Sequence, residues 1–354
     1  MGNLAVTYQN IADILSFETS NSELEQLLSH SSFNWDAIVS EGSRHLVLPA
    51  LYCRLQSKEL LHILPNDLNE YLEEITELNR ERNSAILDQI NIITEWFNKH
   101  NIEHAFLKGA ALLALDCYDD IAERMIGDID ILVATDQLDL AFDLLKTKAY
   151  SPTEQTLGFD FFEHKHLPRL KTEHHICAVE LHKTLFVTYK DSYLATSNIL
   201  KKKQYKNKIS IPSRAHLLRH NILNYQINDK GSWFNSISFR SAYDTLILLR
   251  GKHFNPSDYN NKIYRKYFNV SGLFFNDIKV LTKSKESFLT SFYLFKLTHI
   301  SFYKFWNTLL KIIDSSLLLF GRTLFFLKNK DYRKAIINDK ERIYNRIKSF
   351  LSNS

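Results

Sequence analysis

The amino-acid sequence predicts an α+β fold in which a small mixed sheet is embedded in largely helical N- and C-terminal regions. Two observations carry this. Only 9 glycines and 6 prolines interrupt 354 residues, so long helices dominate outside one mixed region. Within that region short apolar runs alternate with helical ones in the order strand, helix, strand, helix, strand, the pattern of a compact sheet with helical connections. A content of 45% hydrophobic and 24% charged residues belongs to a globular chain with a sizeable core and excludes disordered and fibrous classes.

Residues 1–100 form the first helical region. "SELEQLLSH" and "HLVLPALYCRL" have helical patterning, and residues 67–99 place Leu68, Tyr71, Leu72, Ile75, Leu78, Ile86, Ile90, Ile93 and Phe97 at three-to-four spacing. That spacing predicts one long amphipathic helix or two abutting ones. Residues 101–190 form the sheet-bearing core. There "HAFL" is a strand, "KGAALLAL" opens a helix, "GDIDILV" is a second strand, "LDLAFDLLKTKAY" is a helix and "HICAVELHKTL" contains a third strand. Residues 191–354 return to helix, most clearly in "SRAHLLRHNILNYQI" and "FRSAYDTLILLR", and end in a basic, aromatic tail.

The formal charge is +4, unevenly spread. From Lys279 onward about 15 Lys/Arg face about 5 Asp/Glu, so the tail carries the basic character. Its apolar runs fall short of the roughly 18 to 20 residues of a membrane span. The expectation is a core-packing helical bundle with a solvated basic face; a peripheral contact with a membrane surface or nucleic acid is the alternative. Cys53, Cys117 and Cys177 are odd in number and lack CxxC spacing, and the N-terminus has no basic leader. These features predict a cytoplasmic, reducing setting without disulfides.

Asp128 and Asp130 alternate with Ile129 and Ile131 in "GDIDILV". Successive strand side chains point to opposite faces, so the two carboxylates share a wet, acidic face. Two unit charges about 4 Å apart repel by about 4 kcal/mol at an effective dielectric near 20, so a cation is expected there. Mg²⁺ takes carboxylate oxygens and leaves positions for substrate phosphates. A two-metal arrangement wants a third carboxylate, which Glu180 of "AVELH" supplies, with His182 on its own face. Lys108 and Gly109 lie at a strand-to-helix junction, where free backbone N–H groups and a lysine can face an anion. Arg124 has the planar fork suited to phosphate oxygens, or else pairs with Asp120 or Glu123. The histidines of "EHKHLPRLKTEHHICAVELH" match no standard zinc spacing. His220 and Asp244 either approach the site from the helical part or are satisfied at a helix interface.

The order LKG, arginine, GDIDILV and VELH resembles the nucleotidyltransferases of the DNA polymerase β superfamily, above all its group of uncharacterised nucleotidyltransferases. The likeness covers about residues 85 to 250. It implies a palm of mixed strands and helices, an NTP substrate with Mg²⁺, and transfer of NMP to a hydroxyl acceptor with release of pyrophosphate. By position it implies Asp128, Asp130 and Glu180 as catalytic metal ligands, and Lys108, Gly109, Arg124 and His182 as nucleotide-binding residues. The wider superfamily has Gly-Gly or Gly-Ser at the turn where this chain has Lys108, Gly109 and Ala110. The group's setting among surface-polysaccharide and specialised-metabolite genes implies a small molecule, sugar or polysaccharide precursor as acceptor. Toxin-like transfer to tRNA or protein and an inactive nucleotide-binding scaffold are the other readings.

Overall fold

A computed structural model of the chain describes residues 3–251, 254–282, 287–339 and 342. These fall into two compact units, one within Met1–Pro152 and Lys165–Ile300, the other within Thr153–His164 and Ser301–Ser354.

The first unit contains the mixed sheet. Its strands are β1 (His104–Phe106), β2 (Asp128–Val133), β3 (Ser151–Pro152), β4 (Leu170–Lys171) and β5 (Ala178–His182). They lie in the order β1-β2-β5-β4-β3. The central pair, β2 and β5, is parallel with Asp130 opposite Glu180; the outer pairings are antiparallel. A separate hairpin, β6 (Gln204–Lys206) and β7 (Ile209–Ile211), has no counterpart in the sequence reading. Its turn, Asn207-Lys208, has φ values of 50° and 69°, the doubly positive geometry of a tight hairpin, without the glycine that normally announces it.

Helices surround the sheet. Before it come α1 (Leu4–Leu15), α2 (Asn21–Leu28), α3 (Trp35–Arg44), α4 (Leu48–Ser57) and α5 (Asn66–Lys99). The periodic stretch is thus one helix of 34 residues. Its buried polar face positions the core: Asn79 donates to the Ala122 carbonyl (2.6 Å), Asn83 to the carbonyls of Ile121 and Arg124, and Gln89 to that of Cys177 (2.8 Å). One rigid element therefore holds the segments leading into both central strands, satisfying loop carbonyls that burial would otherwise leave costly.

Within the sheet region, α6 (Lys108–Ala114) follows β1 and α7 (Leu138–Thr147) follows β2. Beyond it lie α8 (Thr196–Lys201), α9 (Arg214–Leu223), α10 (Gly231–Phe234), α11 (Phe239–Leu249), α12 (Lys262–Ser271), α13 (Asn276–Thr282) and α14 (Phe288–Thr298). The tail forms α15 (Ile300–Lys328) and α16 (Lys330–Asn338). No residue of α15 is buried, and Tyr332 is the buried residue of α16. This departs from the expected core-packing bundle: even the unbroken apolar run Leu317, Leu318, Leu319 and Phe320 is exposed. Among the described residues no helix is long and apolar enough to cross a membrane.

Burial holds three histidines neutral. It pushes His45 and His104 down to about 4 and His220 down to about 3. Their unfolded forms protonate near pH 6.5, so below that the unfolded chain binds more protons and stability is lost as pH falls towards the folded values. Each imidazole costs about 2 kcal/mol at pH 5. Glu123, pushed up to about 7 by burial, opposes this by about 2 kcal/mol because its folded form gains the proton first. Denaturant unfolding should show a net loss of about 4 kcal/mol between pH 7 and pH 5; equal stability at both would contradict the neutral, buried state.

Candidate active site

Strand alternation puts Asp128 and Asp130 on one face of β2, and the parallel register sets Glu180 beside Asp130 on β5. That face is less open than the sequence reading expects: Asp130 is 5% exposed, while Asp128 and Glu180 are half-buried. Carboxylates so enclosed require cations, and the chain supplies them. Lys108 Nζ donates to Asp130 Oδ1 at 2.6 Å and His182 Nε2 approaches the same oxygen at 2.7 Å. His182 Nε2 also lies 3.5 Å from Glu180 Oε2, and His166 Nε2 lies 3.6 Å from that oxygen. Arg169 forms an ion pair with Asp128.

Burial alone would raise the Asp130 carboxyl, but the Lys108 charge and the His182 hydrogen bond hold it well below the usual carboxylate range. Burial and the neighbouring Asp130 push Glu180 up; the hydrogen bond and charge of His182, with the charge of His166, outweigh them and leave it lowered. Both groups are anions at neutral pH. Lys165 also faces this centre, its pKa lowered by burial and by Lys108.

The turn after β1 explains how Lys108 arrives there. The Leu107 N–H donates to the Asp130 carbonyl at 2.8 Å, and Lys108 adopts a left-handed backbone with φ 49°. A lysine gains nothing intrinsic from that conformation, which costs about 1 kcal/mol or more outside glycine. Its return is the side chain's position over β2. Gly109 has a packing role: a Cβ there would lie 3.0 Å from Ile126 Cγ1, so the glycine lets α6 sit against the segment entering β2.

Arg124 has neither of the partners considered from sequence. Its Nε donates to both Asp244 oxygens, at 2.9 and 3.1 Å, and its Nη1 to the Met125 carbonyl at 2.6 Å. Tyr118 Oη donates to Asp244 at 2.7 Å. Asp120 pairs with Arg80, and Glu123 accepts from Tyr243. Asp244 is thus satisfied at a helix interface through Arg124, while His220 is buried and lines a cavity beside Lys108. Of the residues singled out from sequence, the structure gathers Asp130, Glu180, His182 and Lys108; it sets Asp128 beside them on the strand and fastens Arg124 to α11. Sequence reasoning misses Arg169, and it names His166 only as one of a run of loop histidines, either near an anionic substrate or plainly exposed. The cationic cluster of "HKHLPR", just before an acidic strand, was the available signal.

Asp130, Glu180 and His182 each offer a ligand atom within 4.8 Å of one another. The donor set fits a hard divalent cation: the oxygens of Asp130 and Glu180 would hold it and His182 would orient Asp130 from outside, since Mg²⁺ prefers oxygen, while Asp128 lies outside this group and is paired with Arg169. Among the described residues the buried His182 Nδ1 has no hydrogen-bond partner, so the contact of Nε2 with Asp130 is what sets this imidazole's tautomer.

No curated protein matches the sequence. The sequence model of a family described as uncharacterised nucleotidyltransferase matches residues 31–263, which takes in α5, the whole mixed sheet and α11. Since that match spans more than half of the chain and contains every group of the carboxylate centre, the protein belongs to this nucleotidyltransferase family.

Proposed function

We propose that the protein transfers NMP from an NTP to a hydroxyl of a small molecule or a sugar or polysaccharide precursor, using Mg²⁺ and releasing pyrophosphate. The observation that carries this is the pair of anionic carboxylates, Asp130 and Glu180, side by side on parallel strands beneath Lys108. Bound Mg²⁺ supplies charge neutralisation at the phosphates and lowers the pKa of a bound hydroxyl. Asp128, Asp130 and Glu180 provide its oxygens.

Lys108 and Arg169 neutralise Asp130 and Asp128 before substrate arrives. Were a divalent ion to take over the carboxylates, Lys108 and Arg169 would be free to face the triphosphate, where their charge would serve the leaving pyrophosphate. The acceptor oxygen forms the new bond to the α-phosphorus, the bond from that phosphorus to the pyrophosphate oxygen breaks, and the hydroxyl proton passes to Glu180. His166, its Nε2 3.6 Å from Glu180 Oε2 and its pKa lowered by burial, accepts that proton in turn. Three free thiols, Cys53, Cys117 and Cys177, support a reducing, cytoplasmic setting for this chemistry.

The test is incubation of the full chain with each α-³²P-labelled NTP and Mg²⁺ in cell extract, beside an Asp128→Asn/Asp130→Asn variant, following label into small-molecule, RNA and protein fractions. Wild-type-only label in the small-molecule fraction is the expected result. Label in RNA or protein would move the acceptor to a macromolecule, and label from neither protein with any NTP would remove the proposal.

A further inference from the structure

We propose that the cavity between α6, α9 and α11 is the acceptor subsite, and that Arg240 binds an oxyanion, phosphoryl or carboxylate, carried by a small hydroxylated acceptor. This rests on the NMP-transfer reading above.

The cavity, about 70 Å³ and partly open, touches the carboxylate centre through Lys108 alone; no residue of β2 or β5 lines it. Lys108 Nζ is bonded to Asp130, so a molecule in the cavity is separated from the reacting face by one side chain. Arg240 lines the wall half-buried, and among the described residues it has no hydrogen-bond or ion-pair partner. Burial and the nearby Arg124 charge pull its pKa below the ordinary guanidinium value, against the opposing charges of Asp244 and Asp229. A half-buried guanidinium with no protein partner among the described residues is a site for an oxyanion, which it can grip with two parallel hydrogen bonds.

The rest of the wall says which oxyanion. Arg124 is already occupied by Asp244, and Asp229 adds a second carboxylate. Three cations against two carboxylates leave little surplus charge, which suits a singly or doubly charged group and opposes a whole triphosphate. Asn221, Asn224 and Ser238 supply neutral polar edges for hydroxyls. His220, neutral because burial and the Lys108 charge push it down to about 3, adds no cation.

The experiment loads the full-length protein with Mg²⁺ and a non-hydrolysable NTP analogue and titrates inorganic phosphate by calorimetry, for wild type, Arg240→Gln and Arg240→Lys. Phosphate should bind the loaded wild type, Arg240→Gln should weaken it by about tenfold or more, and analogue affinity should be unchanged. Arg240→Lys, which keeps the charge and loses the fork, should fall between, and it carries the test if Arg240→Gln melts early. Competition between phosphate and the analogue, or equal weakening of both by Arg240→Gln, would assign Arg240 to the triphosphate and overturn the proposal. Phosphate binding that is absent or indifferent to Arg240 would also overturn it. If the analogue fails to bind while Arg240-dependent phosphate binding persists, the anion subsite stands and the NMP-transfer reading is what fails.

Discussion

Asp130→Asn should reduce NMP transfer by about 10³-fold or more while leaving the protein folded. The substitution is nearly isosteric, so the packing around a 5%-exposed residue is kept, but the charge that draws in Lys108 and His182 is gone. Two consequences follow in opposite directions. Lys108 and His182 lose their anion, which costs some stability, and Glu180 loses the neighbour whose charge pushes its pKa up, which regains part of it. Single-turnover rates with labelled NTP, beside circular-dichroism melting, separate the two effects. A variant that melts like wild type and turns over within tenfold of it would place the chemistry elsewhere.

The second large effect concerns Arg124, which the family resemblance offered as a nucleotide-binding residue. Arg124 is 9% exposed and its guanidinium is fixed on both oxygens of Asp244, which is 1% exposed. Removing one partner of a buried pair strands the other charge, so Arg124→Met should destabilise the protein by about 3 to 5 kcal/mol. Asp244→Leu should cost a similar amount, because it leaves both Arg124 and the Tyr118 hydroxyl unsatisfied. The double variant Arg124→Met/Asp244→Leu should recover much of the loss, since neither charge is then left alone. Additive losses in denaturant unfolding would mean that each side chain has an independent role and that the pair is not the unit.

Periodicity made some of this legible in the sequence and long-range contact hid the rest. The two-residue alternation of "DIDILV" marks β2 and the shared face of its aspartates, and the three-to-four spacing of residues 67–99 marks α5, because both patterns are local. The register that sets Glu180 against Asp130 follows once β2 and β5 are recognised as neighbouring strands. The partner of Arg124 was not legible, since Asp244 lies 120 residues away on α11 and nearer acids at 120 and 123 compete for it on paper. Arg169 and His166 belong to a stretch between strands that has no period at all. Asn207-Lys208 turns a hairpin without a glycine, and the apolar tail reads like core although α15 buries nothing. The occlusion of Asp130 was also beyond local reading: strand alternation names a face, but only the tertiary fold decides what covers it.

The most direct measurement is titration of Mn²⁺ into the protein in the presence of a non-hydrolysable NTP analogue, followed by the loss of the free Mn²⁺ electron paramagnetic resonance signal, for wild type and Asp130→Asn. The carboxylate face of β2 and β5 as a metal-holding, nucleotide-binding centre predicts saturable Mn²⁺ uptake by wild type and uptake weakened at least about 10-fold in Asp130→Asn. Equal uptake by the two proteins would contradict it.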